Sequence, residues 1–221
     1  INARCVVLAE GARGSLSESI IKRYDLRKNA QPQSYGLGIK EVWRVTDDVY
    51  QSGRVVHTVG WPVDRKTYSG GFIYHWEENK ISIGLIIGLD YKNPWLEPYQ
   101  EFQKYKHHPA VSQMLKGGTR VAYGARAICE GGYQSLPNLT FPGGCLVGCA
   151  AGMVNIAKIK GSHHAIHSGR LAGESIARQW DESELDLQAY QQAFDASVIK
   201  KELWKSRNVR PGFYGGLFRG M

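Results

Sequence analysis

The stretch that most constrains the fold runs from Phe141 to Ala177, FPGGCLVGCAAGMVNIAKIKGSHHAIHSGRLAGESIA. A short apolar strand, Cys145 to Val147, leads into a turn punctuated by Gly148, Gly152 and Gly161, and then into a helix. Glycines in such a turn let the backbone approach a ligand with no Cβ in the way, and a helix start offers free N–H groups. Along the helix, Ala165, Ser168, Ala172 and Ile176 recur at a helical interval, so a face of small side chains can lie close against a sheet. This order of elements holds a dinucleotide in many α/β proteins, although an isolated turn of this kind is also an ordinary strand-to-helix connection. Context decides between them.

A second turn of the same kind lies near the other end. The apolar run Cys5 to Ala9 delivers the chain into Glu10-Gly11-Ala12-Arg13-Gly14-Ser15, after which Ser17 to Tyr24 has helical character. The two turns can converge on one extended ligand if the intervening segment folds out as a separate layer. That segment, Tyr35 to Ile128, has a different texture. Val42 to Val45, Val55 to Val59, Phe72 to Trp76, Ile81 to Leu89 and Thr119 to Ala127 are strand-like runs separated by turn residues such as Gln51-Ser52-Gly53 and Glu77-Glu78-Asn79-Lys80. The short connection between the third and fourth runs predicts a hairpin. One polar helix is predicted between Pro98 and Pro109, bounded by proline at both ends. The expected fold is α/β in class, or α+β, with an antiparallel sheet inserted between two halves of a cofactor-binding layer.

Composition narrows the classes. With 43% hydrophobic residues in 221, the chain can bury a core. Cys5, Cys129, Cys145 and Cys149 form no CxxC pair, so neither a zinc ribbon nor a thioredoxin-like motif is indicated and reduced thiols are expected. A net charge of +8 suits nucleic acid, an anionic membrane surface or an acidic partner, and with no nucleic-acid motif beside it a nucleic-acid role is set aside. No run approaches the roughly 18 apolar residues of a spanning helix, so membrane association would be peripheral or monotopic.

Longer motifs then carry a resemblance. HTVGWPVDRKTYSGGFIYH (57–75), GLDYKNPWLEPYQEFQKYKHHP (88–109) and GGTRVAYGARAICEGGYQSLPNLTFPGG (117–144) resemble the electron transfer flavoprotein:ubiquinone oxidoreductases, from about Glu10 to beyond Gly215. The resemblance implies a flavoprotein-hydroxylase-like FAD domain (1–35 and 131–180), interrupted by an antiparallel ubiquinone-binding sheet domain (36–130). Residues 181–221 would be a membrane-surface helix and the start of a truncated iron-sulfur domain. The implied activity passes electrons from reduced electron transfer flavoprotein through FAD to ubiquinone, at the matrix face of the mitochondrial inner membrane or at a bacterial cytoplasmic membrane, with no nucleophile needed. Other partners would be the remaining fragments of the enzyme and a larger respiratory complex.

The family's N-terminal GxGxxG and its clustered cysteines do not occur in this sequence, and Ile1 opens directly onto an apolar run. FAD is therefore expected to be shared with an N-terminal portion, and a [4Fe-4S] cluster only in a C-terminal portion. The chain is expected to be one piece of a larger enzyme, a proteolytic fragment or the product of a split gene, and incomplete as a catalyst. Two competing readings are a structural subunit without redox activity of its own and a flavin-dependent hydroxylase of similar fold.

Residue roles follow from the resemblance. Gly70 and Gly71 match the paired glycines against which the ubiquinone ring lies, a β-bulge or turn being the structural alternative. Gly148, Cys149 and Gly152 match the flavin-binding turn, and Gly161 and Ser162 open the helix that follows it. Asn155 is placed facing the flavin pyrimidine edge, with helix capping as the alternative for it and for Ser162. Glu10 and Gly11 resemble the second flavin-site turn, with glutamate where aspartate is common. His163, His164 and His167 suggest a metal by spacing, but no carboxylate or thiolate accompanies them at ligand spacing and no metal site is expected. Leu187, Tyr190, Phe194, Val198 and Leu203 form a helical apolar stripe. Near it lie Lys200, Lys201, Lys205, Arg207 and Arg210, with Trp204, Phe213, Tyr214 and Phe218, a mixture suited to an anionic membrane interface.

Overall fold

The computed structural model describes residues 2–220, less the side chains of residues 218 and 219, so Ile1, Met221 and the ring of Phe218 lie outside the described residues. In chain order the elements are β1 (Val6–Leu8), α1 (Ser15–Arg23), β2 (Tyr35–Arg44), β3 (Val55–Val59), β4 (Ser69–Trp76), β5 (Lys80–Gly88), α2 (Pro98–His107), α3 (Pro109–Ser112) and β6 (Thr119–Cys129). They continue with β7 (Thr140–Phe141), β8 (Gly144–Leu146), α4 (Ser162–Ala177), α5 (Gln188–Ala196), α6 (Val198–Lys205), α7 (Val209–Gly212) and α8 (Leu217–Gly220). They form two compact units, Ile1–Tyr35 with Ile128–Gly212, and Gly36–Ala127 with Phe213–Met221.

The first unit is built on a small sheet in the order β1-β8-β7, with β1 and β8 parallel and β7 antiparallel to β8. Parallel neighbours need a long crossover, and here the second unit's residues 36–127 lie within it in sequence. The core gathers Leu139, Cys145 and Leu146 with Tyr190, Phe194, Ile199 and Leu203. Tyr190, fully buried, donates its hydroxyl to the Leu146 carbonyl at 3.0 Å, which satisfies a polar atom that would otherwise be costly there. Of the predicted stripe, Tyr190, Phe194 and Leu203 are thus taken up by the protein's own core, while Val198 is exposed and its neighbour Ile199 is buried in its place. The tail expected as a separate segment from 181 is divided, 181–212 packing in the first unit and 213–221 in the second.

The second unit is a five-stranded sheet in the order β3-β4-β5-β2-β6. In β5, Ile81, Ile83, Leu85 and Ile87 alternate with Ser82, Gly84 and Ile86, so one face is a continuous row of buried branched side chains. Helix α2 covers that face. Its sequence looks polar, yet Phe102 and Tyr105 lie three apart and both are buried, each contributing roughly 1.5–3 kcal/mol by burial. The β4–β5 hairpin turns through Glu77, Glu78 and Asn79, and the last two adopt positive φ of 57° and 54°.

Candidate functional site

In the first unit, β1 and β8 pair in register from Val6 opposite Gly144 to Leu8 opposite Leu146, and the Val147 amide donates to the Leu8 carbonyl at 3.0 Å. Both strands therefore end at one edge, and the turns that leave them, Glu10-Gly11 and Gly148 to Gly152, lie side by side. The crevice outside the carboxyl ends of adjacent parallel strands is where open α/β sheets take ligands. Gly11, Gly148 and Gly152 have φ of 84°, 58° and 79°, a region a side chain would strain. A Cβ on Gly148 would also come within 3.0 Å of Ala165, so the turn packs directly on the first turn of α4. Ser168 of that helix accepts the Gly148 amide at 2.9 Å.

Cys129 joins the two turns. Its thiol lies 3.4 Å from the Cys149 carbonyl oxygen and 3.8 Å from that of Ala12. Burial, with Cys149 beside it, pushes this thiol up to about 12, so it stays protonated as a donor. Burial likewise raises the half-buried Cys149 thiol, which is a neutral side chain here. Cys145 is raised to about 11 by burial and the neighbouring Cys5, and all four cysteines are free.

The remaining expected residues divide between those left open and those engaged by the fold. Gly161 is the N-cap of α4 and has no side-chain acceptor to place on the first-turn N–H groups, while Ser162 stands exposed as the first helical residue. Glu10 is otherwise engaged. Its carboxylate accepts the Ser17 hydroxyl at 2.7 Å and the Ser17 amide at 2.6 Å, capping α1 and holding it below the usual carboxylate range. Asn155 is buried, its side-chain oxygen accepting the Lys158 amide at 3.1 Å and its backbone exchanging both hydrogen bonds with Lys160. Its amide nitrogen points to Glu202 at 3.4 Å, so this side chain also shapes the 155–160 loop. The sequence reading missed Gln33. Its Oε1 accepts the Gly131 amide at 2.7 Å, and its buried Nε2, which has no partner among the described residues, fills the space where a Cβ on Gly152 would be. An orphaned donor at a glycine turn fits a site completed by a polar group.

In the second unit the paired glycines part company. A Cβ on Gly71 would lie 2.5 Å from the Tyr105 ring and 2.6 Å from Thr58 Oγ1, so its missing side chain is used by α2, whose Tyr105 hydroxyl accepts from Thr58 at 3.0 Å. Gly70 faces the other side, where a Cβ would meet the Thr58 carbonyl oxygen at 3.3 Å. On that side Gly70 and Gly38 both stand opposite Ile86, and Gly36 stands opposite Gly88 in the next row. Phe72 covers Gly84 on the same face and walls the other side. The result is an apolar row, Gly38–Ile86–Gly70, in which the Ile86 side chain stands between two bare backbone positions.

Two expectations need correction. The histidines do have a carboxylate partner, because α6 brings Glu202 to His163 and His164, a contact that local spacing cannot disclose. The basic, aromatic tail is not one surface. Arg210 is buried beside Glu130, Phe213 packs edge-on against Tyr68, and Tyr190, Phe194 and Leu203 lie in the core. On α6, Lys201, Trp204 and Lys205 remain exposed, with Trp204 edge-on to Tyr133 and Arg207 over its ring. Among the described residues, no helix is long and apolar enough to cross a membrane.

A parallel strand pair with two glycine turns, interrupted in sequence by an antiparallel sheet, is a fold shared with solved flavin-dependent proteins. Solved structures with this fold include a geranylgeranyl bacteriochlorophyll reductase-like protein from Thermoplasma acidophilum, with a TM-score of 0.72 and 15% identity over 96% of this chain and 51% of that one. Another is Klebsiella pneumoniae HpxO complexed with FAD and uric acid, with a TM-score of 0.57 and 11% identity over 93% of this chain and 51% of that one. Residues 35–128 match the family model "ETF-QO, ubiquinone-binding". The mitochondrial electron transfer flavoprotein-ubiquinone oxidoreductase of Homo sapiens is 47% identical over 232 residues, covering 100% of this chain and 38% of that protein. That of Arabidopsis thaliana is 50% identical over 223 residues, covering 100% of this chain and 35% of that protein. Over its whole length the chain is similar to the electron transfer flavoprotein-ubiquinone oxidoreductases, and it spans a little over a third of the length of these relatives.

Proposed function

We propose that this chain supplies the quinone-binding sheet and the ring side of the FAD site in an enzyme that passes electrons from reduced electron transfer flavoprotein to ubiquinone. The observation that carries the reading is the row Gly38–Ile86–Gly70, an apolar floor with bare backbone on both sides of Ile86, within the residues matched to the ubiquinone-binding family. Such a floor takes an aromatic head group by contact area alone, and Gly70, not Gly71, touches it.

FAD would be held by the backbone of Gly11, Gly148, Cys149, Gly152 and Gly161 and the hydroxyl of Ser162, with Glu10 shaping the first turn and Asn155 the loop 155–160 that follows the second. When bound, it supplies the one- and two-electron chemistry. The open N–H groups at the start of α4 lie where negative charge is favoured, Cys129 and Ser168 hold the turn rigid, and Gln33 Nε2 offers a further donor. Segments 1–35 and 131–180 serve the FAD layer and 36–130 the quinone. A lipid-soluble quinone places the work at a membrane face, the matrix side of the mitochondrial inner membrane or a bacterial cytoplasmic membrane, with Lys201, Trp204 and Lys205 as interfacial groups. Any [4Fe-4S] cluster belongs outside this chain, because among the described residues its cysteines meet only in pairs, Cys129 with Cys149 and Cys5 with Cys145, and form no set of three or more ligands.

The test is to purify the native assembly that contains this chain, record its visible spectrum and assay quinone reduction with reduced electron transfer flavoprotein as donor. A flavin spectrum and donor-dependent quinone reduction are expected. An assembly without flavin and without that activity would overturn the reading.

A further inference from the structure

His163 and His164, in the first turn of α4, meet Glu202 of α6 beside the loop 154–161. Glu202 Oε2 lies 3.5 Å from His163 Nε2 and 3.2 Å from His164 Nε2, and the three ligand atoms lie within 4.8 Å of one another. A tetrahedral shell with bonds of about 2.0–2.1 Å has ligand–ligand edges of roughly 3.3–3.4 Å, so the two carboxylate–imidazole separations already have the required length.

The hydrogen-bond chemistry of His164 points the same way. Its ring is buried and its Nδ1 lies 2.9 Å from the Met153 carbonyl oxygen. A carbonyl can only accept, so Nδ1 carries a hydrogen and Nε2, the ring atom that faces the Glu202 carboxylate, is the one placed to serve as a ligand. A backbone carbonyl behind Nδ1–H is also the outer contact that orients metal-ligating histidines.

We infer that His163 Nε2, His164 Nε2 and Glu202 Oε2 form a binding site for one divalent transition-metal cation, Zn²⁺ by preference, with water at the fourth position. Two imidazoles and one carboxylate suit Zn²⁺, Co²⁺ or Ni²⁺ and do not suit Mg²⁺ or Ca²⁺, which require oxygen shells. The other polar groups facing the site are Lys158, whose Nζ is 2.8 Å from Glu202 Oε1, the Asn155 amide at 3.4 Å from Oε2, and the N–H groups of the first turn of α4. Lys158 and the helix start oppose a cation. Lys158 is half exposed and bound to the other carboxylate oxygen, so it can swing into solvent without vacating the ligand atom. The cation ties the 154–161 loop and α4 to α6, and nothing in this site depends on flavin being bound.

The experiment takes the full, untagged chain, strips metal with a chelator and titrates Zn²⁺ by calorimetry, with Co²⁺ as an absorption probe of four-coordination and Mg²⁺ as the contrast. One Zn²⁺ per chain is expected, with a tetrahedral Co²⁺ spectrum and no Mg²⁺ binding. His163→Ala, at an exposed position that leaves the core intact, should weaken Zn²⁺ binding about tenfold or more, as should Glu202→Gln, while Lys158→Ala tightens it. Zn²⁺ should raise the melting temperature of the wild type and not that of His163→Ala. Absence of Zn²⁺ binding, affinity unchanged by His163→Ala, or equal binding of Mg²⁺ overturns the proposal.

Discussion

The two units use glycine for opposite reasons. In the first, Gly11, Gly148 and Gly152 sit at positive φ, so the backbone conformation itself excludes side chains. In the second, Gly38, Gly70, Gly71 and Gly84 lie in ordinary extended strands, and at Gly71 and Gly84 what excludes a side chain is a neighbour. The lesson is that a glycine pair in sequence is not one site. Gly71 belongs to the fold, through Tyr105, and Gly70 to the open face.

Substitutions can break or sharpen this contrast. The largest effect should come from the sheet's covered face, where Glu41 is buried and accepts from Lys106 at 2.9 Å, Trp43 at 2.8 Å and Arg120 at 3.2 Å. Burial raises the Glu41 carboxyl, but these partners, Lys106 foremost, bring it below the usual range. A lowered carboxyl lends stability that is complete above the unfolded value of about 4.3 and is lost as pH falls through the lower folded value. Glu41→Gln should cost about 3 kcal/mol near neutrality in urea melts, because it strands Lys106, and should flatten the acid limb of the stability curve. An acid limb identical to that of the wild type would count against this.

Gly71→Ala comes next, at about 2 kcal/mol from overpacking against Tyr105. Tyr105→Leu in the same chain should recover part of that loss, measured as a double-mutant cycle. Gly152→Ala should cost about 1–2 kcal/mol, and here Gln33→Ala should recover little, because the strain lies in φ. Full recovery by Gln33→Ala would erase the distinction between the units. The smallest effect concerns the thiols. Cys129 and Cys145, raised by burial, should resist alkylation at pH 8 in the folded chain, so rapid labelling of either would show that the turns open easily.

Much of the architecture was legible in the sequence because it is local. The alternation of Ile81, Ile83, Leu85 and Ile87, the turn at Glu77 to Asn79 and the strand-turn-helix after Cys145 all announce themselves within a few residues. What stayed hidden depends on distant partners. Nothing near Gly71 announces Tyr105, nothing near His163 announces Glu202, and the stripe from Leu187 to Leu203 is visible as apolar but does not say that Leu146 lies opposite it. Gln33 sits in AQPQSY with no periodic or motif signal, and it is found through its unpaired Nε2 alone. The two turns were readable separately, while their adjacency rests on the parallel pairing of β1 and β8.

The most direct test of the quinone floor is Gly70→Val in the native assembly, with flavin content and quinone reduction measured on the same sample. The side chain projects onto the open face beside Ile86, so flavin content and melting temperature should stay near wild type while quinone reduction falls steeply. Quinone reduction at the wild-type rate in a folded Gly70→Val assembly would contradict the assignment of this face.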